Sequence, residues 1–184
     1  GVKLNERDSI WDDDTQTNIS NIYVAGDVTT EMALVNVGER EARHAVVRMF
    51  GPTIKPLSYQ NISTIMFLNP EVASVGMSEQ DCNKKGLAHK VVKLDYSTNA
   101  RAIAMRKTKG FFKIIVTNDN GMRILGMRAV GEHASSAIQA VAYLIHTNQG
   151  IRELADMMHP HPSIIEGVQE CLRMLLGKSI YKPY

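Results

Sequence analysis

Cysteine is scarce in this sequence, and neither sign of charge predominates. Cys82 and Cys171 are far apart and form no CxxC motif, which argues against a disulfide framework or a thiolate metal site and favours a reduced, cytoplasmic compartment. The 21 basic and 19 acidic residues are interspersed, so no clustered basic face is available for nucleic acid. No apolar run approaches the roughly 20 residues of a membrane-spanning helix. The composition therefore predicts a globular protein that binds neither nucleic acid nor a membrane.

Residues 1–55 hold few elements of secondary structure. The run IYVA at 22–25 predicts a short strand, and apolar residues at helical spacing over 34–49 predict a helix. Gly51, which a proline follows, predicts the end of that helix as a C′ glycine. One strand and one helix cannot bury their own apolar faces. We therefore expect this segment to be the C-terminal portion of a larger α/β domain.

Asp27 directly follows the predicted strand and allows two interpretations. The pair Gly26-Asp27 is typical of a turn in which the Asp side chain binds nearby backbone. Alternatively, a carboxylate at the carboxyl end of a strand lies where ligands bind in open α/β sheets. There it can accept hydrogen bonds from sugar-like hydroxyls. The residues alone leave both interpretations open.

Residues 56–184 contain strands first and helices later. Alternating or β-branched runs predict strands at residues 62–68, 72–75, 91–94, 111–117 and 122–130. The stretch NDNG at 118–121 joins the last two as a hairpin, and Ser78 begins a short helix. Helical spacing follows Gly131 and recurs over 164–176. This order predicts a second domain over 56–184, of the α+β class, with an antiparallel sheet covered by helices.

The segment HPHPSIIE at 159–166 concentrates the residues that can carry chemistry. His159 and His161 could bind a metal, but no third ligand is evident, so we predict no metal site. Ser163 and Glu166 fit a capping box, with Ser163 as the N-cap and Glu166 at position N3 of the last helix. From the residues alone, a capping box and a packed loop histidine are the favoured interpretation.

Several motifs, in the order in which they occur along the chain, resemble those of the pyridine nucleotide–disulfide oxidoreductases. Thr17 with IYVAGD at 22–27 resembles the second flavin-binding motif of that family, and FLNPEVASVG at 67–76 resembles the opening of its dimerisation domain. Similar segments of that domain correspond to NARA at 99–102, GFFK at 110–113 and ILG at 124–126. The stretch HPSIIE at 161–166 is similar to the family's catalytic His-Pro-Thr-x-x-Glu signature.

The resemblance also bears on which member this is and on what the sequence lacks. His159 favours a member like dihydrolipoamide dehydrogenase, whereas Pro160 and Ser163 replace the usual Ala and Thr and leave the substrate open. The family's Gly-rich dinucleotide motif, redox-active cysteine pair and nicotinamide-binding domain have no counterpart here. The resemblance therefore implies the C-terminal part of a longer enzyme that is inactive by itself.

The resemblance implies that His161 is the catalytic base and that Glu166 orients it. Histidine side chains ordinarily have a pKa of about 6.5, so they can take and return the protons of a dithiol near neutral pH. A carboxylate on the second ring nitrogen would hold the tautomer and stabilise the imidazolium. In the family this pair serves the flavin and disulfide of the partner subunit in a homodimer. The resemblance further implies a cis peptide bond between His161 and Pro162.

The resemblance implies FAD contacts in the first domain. Asp27 would bind the ribityl hydroxyls, and the backbone of Ala33, Leu34 and Val35 would face the isoalloxazine ring. The alternative role of the last three residues is a helix N-terminus that packs on a sheet. The N-terminal end of a helix also favours negative charge on a reduced flavin.

The activity implied is electron transfer from dihydrolipoamide, through a cysteine pair and FAD, to NAD. The substrate would be a small dithiol or disulfide, or the lipoyl domain of a 2-oxoacid dehydrogenase complex. One alternative is an NADPH-dependent reductase like glutathione or mercuric reductase, and another is a non-catalytic dimerisation module. The choice between NAD and NADP belongs to a domain that the sequence does not contain.

Overall fold

The computed structural model describes residues 1–29, 32–53 and 55–181. It divides the chain into two compact units, Gly1–Tyr59 and Gln60–Tyr184. Within its described residues, the first unit forms one helix, α1 (Val35–Phe50). The division into two functional domains after residue 55 stays a prediction.

The second unit combines a five-stranded sheet with five helices in its described residues. The strands are β1 (Ser63–Met66), β2 (Val72–Gly76), β3 (His89–Asp95), β4 (Phe111–Thr117) and β5 (Ile124–Val130). The helices are α2 (Glu79–Lys84), α3 (Ala100–Ala104), α4 (Ala134–His146), α5 (Arg152–Asp156) and α6 (Ile165–Leu175). The strand order is β1-β2-β5-β4-β3, and every neighbouring pair is antiparallel. The predicted α+β class is confirmed.

One face of the sheet forms the core together with α4 and α6. Val75, Met127, Ile114 and Val92 lie side by side across β2, β5, β4 and β3, and none is more than 2% exposed. Helix α4 packs on β2 and β5, and α6 packs on β3 and β4. Each such buried side chain contributes about 1.5–3 kcal/mol. This packing fixes the position of α6, which begins just after the HPHPS segment.

Two local structures in the second unit, the N-terminal cap of α2 and the turn between β4 and β5, form as the sequence predicts. The Ser78 hydroxyl accepts the Asp81 N–H at 3.1 Å, and the Asp81 carboxylate accepts the Ser78 N–H at 2.9 Å, which completes a capping box. In the predicted hairpin, Asp119 Oδ1 accepts the N–H groups of Gly121 and Met122 at 2.8 and 2.9 Å. Both structures depend on side chains within three residues, so local sequence is sufficient to specify them.

The first unit departs from the sequence prediction at two points. In place of a strand over 22–25, Tyr23 makes a single antiparallel bridge with Gln16, because no longer partner segment pairs with it among the described residues. Helix α1 ends at Phe50 as predicted, but Gly51 is extended (φ −105°) and not left-handed. A side chain on Gly51 would place Cβ 2.7 Å from the Val47 carbonyl oxygen. Close approach of the backbone, therefore, explains this glycine.

Candidate functional site

His161 and Glu166 are paired in the structure. Glu166 lies in the first turn of α6, and the His161–Pro162 peptide bond is cis. His161 Nδ1 lies 2.8 Å from Glu166 Oε1. The expected cis bond and the expected hydrogen bond are both confirmed. The catalytic role of the pair stays a prediction.

Glu166 uses its second carboxylate oxygen to hold the chain that precedes the helix. Its Oε2 accepts the Ser163 N–H at 2.7 Å. However, the N-cap of α6 is Ile164 and makes no side-chain cap, so the prediction that Ser163 is the N-cap is wrong. Helix α6 begins at Ile165, one residue later than the predicted capping box requires. The Glu166 carboxylate therefore makes one of the two capping-box hydrogen bonds, with the Ser163 N–H, and also pairs with His161.

The hydrogen bonds on Glu166 determine how the pair is protonated. Burial, the largest single influence, acts to raise the pKa of Glu166, but the hydrogen bonds from His161 and Ser163 together lower it below the ordinary value. Glu166 is therefore a carboxylate at neutral pH and can only accept, so Nδ1 of His161 must donate. In the neutral imidazole this leaves Nε2 as the basic atom. The His161 side chain is 70% exposed, so a reactant can approach it.

Two buried amides that the sequence reasoning missed hold the backbone on either side of residues 158–162. Asn99 Nδ2 donates to the carbonyl oxygens of Ser163 and Ile164 at 3.1 and 3.4 Å. Gln169 Nε2 donates to the carbonyl oxygens of Ala155 and Met157 at 3.0 and 2.7 Å. The sequence carries a signal for Gln169, because it lies four residues after Ile165 and three before Leu172, on the apolar face of α6. In the structure it is 5% exposed. Asn99 gave no such signal, because its partners lie more than sixty residues away.

Close packing seats the first turn of α6 against the sheet. A side chain on Gly167 would place Cβ 2.1 Å from Cε2 of Phe112, on β4. Phe112 is fully buried and stacks on Tyr96, with 4.5 Å between ring centroids. Because residue 167 is glycine, the first turn of α6, which carries Glu166, can lie close to β4.

Asp27 lies on an exposed turn of the first unit, and a buried carboxylate holds that turn. The N–H of Gly26 donates to Glu41 Oε2 at 2.6 Å, and the Tyr59 hydroxyl donates to Glu41 Oε1 at 2.9 Å. Glu41 is 3% exposed. The sequence does carry a signal for it, because Glu41 lies four residues after Val37, which is on the buried face of α1.

Ala33, Leu34 and Val35 lie where α1 begins. Leu34 is the N-cap of α1 and has an extended backbone, and its apolar side chain makes no capping hydrogen bond. Ala33 is exposed, and Val35 is 90% exposed. The N-terminal end of α1 would favour negative charge on a bound group. These residues belong to the first unit, whereas His161 and Glu166 belong to the second.

The two cysteines are unsuited to redox chemistry. Both are buried, and burial raises the pKa of each thiol, Cys82 and Cys171, above the ordinary value. A thiol that is hard to ionise is a poor nucleophile. Within the described parts of the chain, no group of three His, Cys, Asp or Glu side chains could hold a metal ion. The Nε2 of His159 instead lies 3.2 Å from the Leu154 carbonyl oxygen.

The part of the chain that the structure covers also has no helix long and apolar enough to cross a bilayer.

Comparison with known proteins decides the family. The dimerisation domain of the pyridine nucleotide-disulphide oxidoreductases matches residues 62–172. The chain belongs to this family. Dihydrolipoyl dehydrogenase of Staphylococcus aureus is 31% identical over 182 residues, which cover 98% of this chain and 38% of that enzyme. The same enzyme of Geobacillus stearothermophilus is 30% identical, with the same coverage.

Two solved structures share the fold. LpdA from Mycobacterium tuberculosis superimposes with a TM-score of 0.88 at 27% identity, over 95% of this chain and 38% of that one. The HOCl-induced flavoprotein disulfide reductase RclA from Escherichia coli gives a TM-score of 0.85 at 25% identity, over 93% of this chain and 40% of that one. The chain thus spans about two fifths of the length of these relatives.

Proposed function

We propose that this chain supplies the His161–Glu166 acid–base pair of an FAD-dependent dithiol oxidoreductase of the dihydrolipoamide dehydrogenase type. The observation that carries the proposal is the 2.8 Å contact between His161 Nδ1 and a carboxylate whose pKa is lowered. This contact leaves the exposed Nε2 as the atom that exchanges a proton. The curated relatives named dihydrolipoyl dehydrogenase support the substrate class.

Oxidation of a dithiol to a disulfide releases two protons and two electrons. His161 Nε2 takes a proton from the substrate thiol, which generates the thiolate that attacks a disulfide. Glu166 stabilises the imidazolium and keeps the ring oriented for the return of the proton. The exposure of His161 is consistent with action on a partner subunit in a homodimer, and the dimerisation domain supports that assembly.

The residues of the first unit fit a flavin. Bound FAD supplies a two-electron acceptor for the reduced cysteine pair. Asp27 would hold its ribityl hydroxyls, because the carboxylate is exposed and its turn is fixed through Gly26 and Glu41. Ala33, Leu34 and Val35 would face the ring with backbone groups at the start of α1. NAD, or NADP, would bind through a domain outside this chain.

A second candidate is a reductase that runs in the opposite direction with NADPH, as a glutathione or mercuric reductase does. The likeness to a flavoprotein disulfide reductase, at a TM-score of 0.85, favours it as the alternative. In that direction the same His161 would protonate the leaving thiolate, so the pair itself does not distinguish the two.

The test is a steady-state assay of the longer protein that contains this chain. Dihydrolipoamide with NAD⁺ is compared with glutathione disulfide and NADPH at equal enzyme concentration. We expect turnover with dihydrolipoamide and NAD⁺, and at most a small rate with the other pair. Faster reduction of glutathione disulfide would favour the second candidate, and no flavin-dependent turnover with either pair would leave only a dimerisation module.

A further inference from the structure

Asn99 is almost completely buried and uses every polar atom of its side chain. It is 4% exposed. Its Oδ1 accepts the Ala102 N–H at 3.0 Å and so caps the short helix α3. Its Nδ2 donates to the carbonyl oxygens of Ser163 and Ile164. Through these hydrogen bonds, Asn99 links α3 to the backbone just before α6.

The partners fix the orientation of this amide. In the reversed orientation the NH2 group would face the Ala102 N–H, and the oxygen would face two carbonyl oxygens. Both contacts would be repulsive in a site that excludes water. Asn99 can therefore bind only as a donor toward Ser163 and Ile164.

Ser163 connects Asn99 to the acid–base pair. Its carbonyl oxygen accepts from Asn99, and its N–H donates to Glu166 Oε2 at 2.7 Å. Glu166 Oε1 in turn accepts from His161 Nδ1. The chain of hydrogen bonds is therefore continuous from Asn99, through one peptide residue and one carboxylate, to the imidazole.

We propose that Asn99 is a positioning residue, which orients Ser163 so that Glu166 holds His161 as the Nδ1–H tautomer. The proposal rests on the proposed function, since the tautomer matters because Nε2 is the base. Asn99 is not itself in contact with a reactant. It acts on the imidazole through the Ser163 backbone and Glu166.

The variant that isolates this effect is Asn99→Ser. A serine hydroxyl still caps α3, but it is too short to reach the carbonyls of Ser163 and Ile164. The matched control is Ser78→Ala, which removes the side-chain N-cap of the comparably short helix α2. Both changes reduce stability, but only the first breaks the chain of hydrogen bonds to His161.

The measurement is the ¹⁵N NMR spectrum of the histidine rings at a pH at which His161 is neutral, with His161→Gln used to assign the signals. We expect the Nδ1–H tautomer of His161 in the unmodified chain and in Ser78→Ala. In Asn99→Ser we expect a mixture of both tautomers. A folded Asn99→Ser chain that retains the Nδ1–H tautomer would overturn the proposal.

If Asn99→Ser does not fold, Asn99→Thr gives the same decision, because its hydroxyl can also cap α3 but is too short to reach the carbonyls of Ser163 and Ile164. The ring tautomer does not depend on turnover, so the two proposals fail separately. Loss of the tautomer with unchanged turnover in the longer enzyme would refute the acid–base role and leave the positioning role intact.

Discussion

Gly167→Ala should destabilise the second unit even though alanine is the better helix former. Two effects oppose each other at this position. Replacing glycine by alanine within a helix is worth about 1 kcal/mol in propensity. Against this, the new Cβ would lie 2.1 Å from the Phe112 ring, whereas ordinary contacts begin at 3.4 Å. The helix or the ring must therefore move by more than 1 Å.

The structure leaves little room for that movement. Phe112 is fully buried and stacked on Tyr96, which is also fully buried. Overpacking a rigid core typically costs about 1–3 kcal/mol, and this overlap belongs at the upper end. We therefore expect a net loss of about 2 kcal/mol after the propensity gain is subtracted.

Urea denaturation of the wild type and of Gly167→Ala measures this difference. The control is the same substitution in a Phe112→Leu background, where the smaller side chain relieves the overlap and the two changes should couple. A Gly167→Ala chain as stable as the wild type would refute the packing argument. So would a cost that is the same in both backgrounds.

Two further predictions concern carboxylates. Because the pKa of Glu166 is lowered on folding, its stabilising effect is present above the ordinary value of 4.5 and is lost as the pH falls through the lowered pKa. The stability difference between the wild type and Glu166→Gln should therefore shrink between pH 7 and pH 3. Glu41→Ala should cost about 1–3 kcal/mol, since it removes two hydrogen bonds and leaves the Gly26 N–H without its acceptor. Glu41→Gln, which keeps one acceptor oxygen, should cost less in the same denaturation assay.

The sheet of the second unit could be predicted because its signals are local. The turn at Asp119 and the cap at Ser78 are closed by side chains within three residues. The pairing of His161 with Glu166 and the cis bond came from a resemblance, since the residues alone favoured a capping box. The start of α6 was misplaced by one residue, because the backbone of Ser163 and Ile164 is held from outside by Asn99.

What the sequence could not provide is the set of contacts between distant segments. The sequence places Glu41 on the buried face of α1, but it does not reveal that the Gly26 N–H is its partner. From the sequence, Gly167 is only a residue of low helix propensity, and the structure shows that the Phe112 ring leaves no room for a side chain there. The strand expected at 22–25 failed for the same reason, because a strand requires a partner that local propensity does not reveal.

The most direct test of the account is the turnover of His161→Gln in the longer enzyme, with His159→Gln as the matched control. Both variants replace a histidine of the same segment, but only His161 is paired with Glu166. We predict that His161→Gln lowers the rate of dihydrolipoamide oxidation by about 10²–10⁴, while His159→Gln retains most of it. Near-normal turnover of a folded His161→Gln dimer would contradict the claim that this chain supplies the acid–base pair.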